Sequence, residues 1–176
     1  MHCAALKPEN FMFHHDIVRL KAVLACHSHN IIHRDITPKN VLIGTDGVAK
    51  ITDFGIARWE QFTSMTSTGT AMGVAEYLAP ERFQGKADPR SDIYSLGCVL
   101  YQMLAGRPPF VGDSPELMYQ QINTRPPPLR KTRKDIPRAL EAVVSKALEK
   151  DPSLRYQSAN EFAAGILNAV PSLRKP

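Results

Sequence analysis

Apolar residues recur at helical spacing along most of this chain. From Asp16 onward, Ile17, Leu20, Leu24 and then Ile31 share a face that Val18, Ala22 and Ala25 widen, which predicts a helix ending near His29. The first 15 residues carry no comparable period. Ile93, Leu96, Leu100 and Leu104 form a second stripe, with Ser91 as its expected cap and Gly106 followed by Pro108-Pro109 as its stop. Ser114-Pro115 predicts a cap and a first-turn proline ahead of Leu117, Met118 and Ile122. Leu140, Val143, Val144, Ala147 and Leu148 fit the amphipathic template throughout. Ser158 with Glu161 makes a capping-box pattern before Phe162, Ile166 and Leu167.

Two short stretches break the helical rhythm. Val41, Leu42 and Ile43 and then Val48, Ala49, Lys50 and Ile51 flank Thr45-Asp46-Gly47, a strand–turn–strand signal. Residues 60–76 hold six hydroxyl residues, two glycines and little apolar weight. A loop of that length inside a folded domain is usually functional. The pattern describes one mostly helical body with a small hairpin and one long loop, and contains neither an internal repeat nor a low-complexity linker.

Composition narrows the function classes. At 176 residues the chain is long enough for one sizeable core and short for two. Its 43% apolar and 22% charged content is that of an ordinary globular protein, which argues against disorder or a fibrous fold. The net charge of +5 is too small to imply nucleic acid. The longest basic run, Arg130-Lys131-Thr132-Arg133-Lys134, has no aromatic residue to stack a base and reads as a solvated loop. Cys3, Cys26 and Cys98 are too few and scattered for a disulfide framework, so a reducing compartment is expected. Cys26-His27-Ser28-His29 lacks the second ligand pair that zinc requires. The most apolar stretch, residues 93–105, is polar-interrupted and short of the roughly 20 residues of a membrane span. With no signal pattern at the N-terminus, a soluble cytoplasmic protein is the expectation.

The chemistry brackets the hairpin. His33-Arg34-Asp35-Ile36-Thr37-Pro38-Lys39-Asn40 precedes its first strand, and Asp53-Phe54-Gly55 follows its second. A tight hairpin would bring Asp35, Asn40 and Asp53 into one crevice. An Asp and an Asn offer hard oxygens of the kind Mg²⁺ prefers alongside phosphate and water. A second Asp can accept a proton from an attacking hydroxyl, and together these are the requirements of phosphoryl transfer.

These two clusters resemble, in order and spacing, the catalytic-loop and metal-binding motifs of protein kinases. The stretch Gly73-Val74-Ala75-Glu76-Tyr77-Leu78-Ala79-Pro80-Glu81 is similar to the end of a kinase activation segment. Ser91-Asp92-Ile93-Tyr94-Ser95-Leu96-Gly97 resembles the start of the central helix of the large lobe. Asp151-Pro152-Ser153-Leu154-Arg155-Tyr156 resembles the segment whose arginine pairs with the Glu81 position. Within the family the texture is similar to bacterial serine/threonine kinases. The resemblance implies a mainly α large (C-terminal) lobe with a small β-hairpin at the active-site loop and the N-terminal β lobe absent. It divides residues 1–176, one truncated kinase domain, into a catalytic loop at 33–40, an activation segment at 53–81 and a helical body at 91–170.

The resemblance also implies roles. Asp35 would be the catalytic base. Asn40 and Asp53 would hold Mg²⁺ on the phosphates of ATP, with Leu42 beneath the adenine. His33 and Phe54 would stack in the spine that links the lobes, and are core residues first. Arg34 would meet a phosphate on the activation loop, for which Thr63, Ser64, Thr66, Ser67, Thr68 and Thr70 are candidates. Tyr77 stands where serine/threonine-type kinases carry a tyrosine. Asp92 would be structural, anchoring the backbone of the catalytic loop. The partner implied is a protein substrate bearing a Ser or Thr hydroxyl.

Departures from the family pattern open a second reading. Thr37 stands where such kinases carry a lysine that contacts the transferring phosphate, and Val74 where they carry the threonine that bonds it. Lys39, four residues after Asp35, is the expected replacement cation and so a second catalytic candidate. The glycine-rich loop and the strand lysine that clamp ATP have no counterpart in residues 1–16. A serine/threonine protein kinase, inactive as this chain alone, is therefore the leading expectation. A non-catalytic pseudokinase module is the alternative, and a small-molecule phosphotransferase the third, disfavoured by Ala79-Pro80-Glu81 and the hydroxyl-rich loop.

Overall fold

The computed structural model describes residues 23, 26, 27, 29, 31–43, 49–53 and 75–171. For 41–43 and 49–51 it describes the backbone alone. Val23, Cys26 and His27 are helical, and the amides of His29 and Ile31 close back on the Cys26 carbonyl at 3.0 and 2.9 Å, where the sequence ends its first helix. A 3₁₀ turn, Pro38–Asn40, leads into β1 (Val41–Ile43), which pairs antiparallel with β2 (Ala49–Ile51) in the register Val41↔Ile51, Leu42↔Lys50. The expected turn, Thr45 to Gly47, and Val48 lie outside the described residues.

The helical body begins after a second 3₁₀ turn, Pro80–Gln84. It comprises α1 (Pro89–Ala105), α2 (Ser114–Asn123), α3 (Leu129–Thr132), α4 (Arg138–Ala147) and α5 (Ala159–Ala169). Helix α1 is central and packs against α3, α4 and α5, while α2 lies against the 80–84 turn. Its one-sided stripe understated its burial: every residue from Ser91 to Tyr101 is buried, because neighbours surround the helix on all sides. Helix α4 follows its sequence pattern closely. Leu140, Val143, Val144 and Ala147 are buried and Ala139, Ala142, Ser145 and Lys146 exposed.

Two expected caps lie elsewhere. Asp88, not Ser91, caps α1: its side chain accepts from the Arg90 amide, Pro89 occupies the first turn, and Ser91 returns a bond to the Asp88 amide at 3.2 Å. Asp113, not Ser114, caps α2 by accepting from the Glu116 amide at 2.9 Å. In both cases an aspartate just upstream of a proline outcompetes a serine, since a charged oxygen makes the stronger bond to the orphan amides. At the far end of α1, Gly106 adopts φ 78° and its amide bonds the Gln102 carbonyl, the left-handed stop that glycine permits. Ser158 accepts from the Glu161 amide at 3.1 Å, and the Glu161 carboxylate bonds the amide of Gln157. The basic run 130–134 is not wholly loop, since Leu129–Thr132 form the single turn of α3 with Leu129 buried. On α2, Met118 and Tyr119 are exposed, and Gln121 joins Leu117 on the buried side.

Candidate active site

The loop before β1 is shaped by an acid from another element. Asp92, in the first turn of α1 and 1% exposed, accepts from the backbone amides of His33 (2.8 Å) and Arg34 (3.0 Å). It also accepts from His27 Nε2 at 2.9 Å. The sequence reading of Asp92 as an anchor for this loop agrees with that geometry. Arg34 pays for it in backbone conformation, adopting φ 70°, and Asp53 across the strand pair adopts φ 61°. Left-handed non-glycine residues cost of order 1–3 kcal/mol each and persist where the surroundings over-determine them. Neither strain was visible in the sequence.

Downstream of the anchor the loop closes on itself. The Asn40 amide nitrogen donates to Asp35 Oδ2 at 2.8 Å and to the Asp35 carbonyl at 2.9 Å. The Asp35 amide donates to His33 Nδ1 at 3.3 Å, so His33 Nε2–H donates to the Thr52 carbonyl at 3.2 Å. Burial lowers the His33 pKa, against the pull of Asp92, the Thr52 carbonyl and Asp35, in keeping with that neutral tautomer. The Thr52 amide in turn bonds the Asn40 carbonyl at 2.9 Å, extending the strand ladder by one rung. Asp53 follows directly. Backbone pairing thus brings the clusters at 33–40 and 53 to the same end of the strand pair.

Within this frame Asp35, Thr37 and Asn40 are buried, whereas Arg34, Lys39 and Asp53 are exposed. Asn40 spends its nitrogen on Asp35, which leaves its amide oxygen as the end available to a cation. That oxygen and the Asp53 carboxylate are hard donors and few in number, a set that fits Mg²⁺ completed by phosphate and water. Glu76 is half-buried beside the loop. Burial raises its carboxyl pKa, and a bond from Tyr77 and the charge of Lys39 moderate the rise. Of the other sequence candidates, the side chain of Leu42 and all of Phe54, Val74 and the hydroxyls from Thr63 to Thr70 lie outside the described residues.

The sequence missed Arg82, which is buried and has its pKa lowered by burial and then by Arg34, placing two guanidinium groups near one another. The expected pairing of Arg155 with Glu81 is present in full. Arg155 donates to both Glu81 oxygens at 2.7 and 2.8 Å and to the carbonyls of Glu149, Arg90 and Lys150. Every N–H of its guanidinium is used.

An Asp held by an Asn in a strained loop, a second Asp at the same end of the strand pair and a helical body that anchors the loop through Asp92 are consistent with the large lobe of the protein-kinase fold. Residues 12–164 match the model of the protein kinase domain, and the chain belongs to that family. It is 48% identical over 145 residues to the serine/threonine-protein kinase PknB of Mycolicibacterium smegmatis and 47% identical over 144 residues to that of Mycobacterium leprae, in each case covering 80% of this chain. A probable serine/threonine-protein kinase of Streptomyces coelicolor is 46% identical over 151 residues, 84% of this chain. The matched region spans 22–23% of the length of these curated relatives.

Proposed function

We propose that residues 33–81 form the catalytic loop and activation segment of a serine/threonine protein kinase that moves the γ-phosphoryl group of ATP to a Ser or Thr hydroxyl of a protein. The Asp35–Asn40 pair carries this reading. Asp35 accepts the acceptor hydroxyl's proton as that oxygen attacks the γ-phosphorus and the bond to the β-phosphate oxygen of ADP breaks. Asn40 orients the Asp35 carboxylate through the bond to Oδ2, so the proton-accepting group does not have to be organised during the reaction. Asn40 and Asp53 would hold Mg²⁺, which would neutralise phosphate charge. Leu42 supports the adenine. Lys39 supplies a cation near the phosphate, in place of the lysine that Thr37 lacks. ATP as donor goes with a cytoplasmic location, and residues 1–176 are read as the large lobe of one kinase domain.

Thr37, buried where the family carries that lysine, favours a second reading as a non-catalytic binding module. Transfer from radiolabelled ATP to a serine-containing peptide pool separates the two. The chain assayed alone is expected to match its Asp35→Asn variant, since residues 1–16 carry neither the glycine-rich loop motif nor the strand lysine that would clamp the ATP phosphates. Joined to the nucleotide-gripping lobe of a mycobacterial relative it is expected to transfer phosphate. There Lys39→Ala should lower kcat by roughly 10²–10³-fold with little change in KM for ATP, the scale for one electrostatic donor at a transition state. An inactive chimera, or one indifferent to Asp35→Asn, would leave the binding-module reading standing.

A further inference from the structure

The strip 75–77 forms a single turn, and side chains from two helices hold its carbonyls. Gln121, fully buried on α2, donates through Nε2 to the carbonyls of Ala75 (3.0 Å) and Glu76 (2.8 Å). Ser95, on α1, donates to the Tyr77 carbonyl at 2.7 Å. Behind Gln121 stands Tyr94, whose hydroxyl donates to Gln121 Oε1 at 2.6 Å. Behind Tyr94 stands Lys150, whose ammonium donates to Tyr94 Oη at 3.0 Å and to the carbonyls of Gln121 (2.7 Å) and Gln120 (3.3 Å), with the Phe110 ring 4.4 Å away.

The direction of this relay is forced. An ammonium only donates, so Tyr94 Oη must accept from Lys150 and turn its own hydrogen to Gln121 Oε1. That fixes which end of the Gln121 amide faces Tyr94, and points the nitrogen at the strip. A buried carboxamide is costly unless its groups are bonded, and here both the oxygen and the nitrogen are. We infer that Gln121 is a positioning residue: with Tyr94 and Lys150 behind it, it sets the height and orientation of the strip 75–77 beside the loop that would take the acceptor hydroxyl. Ile36, from the loop that carries Asp35, belongs to the same apolar core as Tyr77 and Ala79. Burial brings the Lys150 pKa down to about 8, so at neutral pH the side chain is still mainly the ammonium that the relay requires.

The inference rests on the reading of 53–81 as an activation segment, and the test keeps the two apart. Hydrogen exchange followed by mass spectrometry on the 176-residue chain compares the unmodified protein with Gln121→Met, which keeps the volume and removes every donor, and with the milder Tyr94→Phe. Exchange in peptides spanning 75–82 should rise by about tenfold or more in Gln121→Met and less in Tyr94→Phe, while α4 and α5 change by less than about twofold, as expected for opening confined to one segment. Unchanged exchange at 75–82, or a rise shared equally by all helices, would make Gln121 an ordinary core residue and overturn the inference. In the chimera carrying the nucleotide-gripping lobe, phosphate transfer to the peptide pool is measured for the same variants. Where the unmodified chimera transfers phosphate, Gln121→Met should raise KM for the peptide several-fold and leave KM for ATP alone, and an unchanged peptide KM counts against the inference. Where none is transferred, the exchange pattern alone decides the role of Gln121, and the catalytic reading is judged separately.

Discussion

Asp92 carries more of the site's geometry than any residue that would touch a substrate. One carboxylate, almost wholly buried, satisfies two consecutive backbone amides and the His27 ring, and those amides belong to a loop that adopts φ 70° at Arg34. Removing it leaves buried donors without acceptors, and each such donor costs about 1–3 kcal/mol. Asp92→Ala is therefore expected to lose about 3–5 kcal/mol in urea unfolding, the range for breaking a buried charged network. Asp92→Asn, which keeps one acceptor oxygen, should lose less. A loss under about 1 kcal/mol for Asp92→Ala would mean that the loop holds its own strained shape without the anchor. The assignment of Asp92 as structural was legible from its place in a motif. The strain it supports was not, because φ depends on what the amides on either side are tied to.

Among the elements, the contact of α1 with α4 leaves little tolerance. A Cβ built on Gly97 would stand 3.0 Å from Ala147 Cβ and 3.1 Å from Leu148 Cδ2. Two effects compete in Gly97→Ala. Alanine in a helix interior is worth about 1 kcal/mol over glycine, whereas overpacking a filled core costs typically about 1–3 kcal/mol. Ala147 is backbone-fixed and offers no side-chain rotation to yield, so the clash is expected to win, with a net loss of about 1–2 kcal/mol. The double variant with Ala147→Gly should recover most of it, and a double-mutant cycle in urea measures that coupling. A stabilised Gly97→Ala would show that the helices part by a few tenths of an ångström at no cost. The sequence predicted where α1 runs and stops. It did not indicate that glycine is required at 97, since the demand comes from a helix about fifty residues later.

Across the whole molecule, Glu81 and Arg155 tie the 80–84 turn to the helical body. They are 74 residues apart, joined by two hydrogen bonds, with Ser91 Oγ donating to the same Glu81 oxygen at 2.6 Å. Burial alone would raise the Glu81 pKa, but the hydrogen bonds and charge of Arg155 outweigh it and hold the carboxyl below the ordinary glutamate value of 4.5. A carboxylate depressed in the folded state contributes stability that is complete above its unfolded pKa and is lost as pH falls through the folded one. Unfolding free energy should accordingly fall on acidification below about pH 4.5, and Glu81→Gln should flatten that part of the profile. At neutral pH the same variant leaves Arg155 buried without its counter-charge and should cost about 3–5 kcal/mol. An acid limb of unchanged slope in Glu81→Gln would assign the acid loss to other carboxylates.

By itself the sequence determined the longer helices, the Gly106 stop and the order of the motifs, because periodicity and breakers act over a turn or two of chain. That is why α4 and the Gly106 stop agree with the pattern residue by residue. The meeting of the 33–40 and 53 clusters at one end of the strand pair was legible too, since a short strand pair leaves few ways to separate the two clusters it joins. What only the tertiary structure decided depends on partners far away in the chain. Every side of α1 is buried, Asp88 and Asp113 displace the serines as caps, Gly97 faces Ala147, and Gln121 is buried on a helix whose stripe pointed to Met118. A side chain's neighbours across the core are set by how the elements pack, and local spacing carries no record of them.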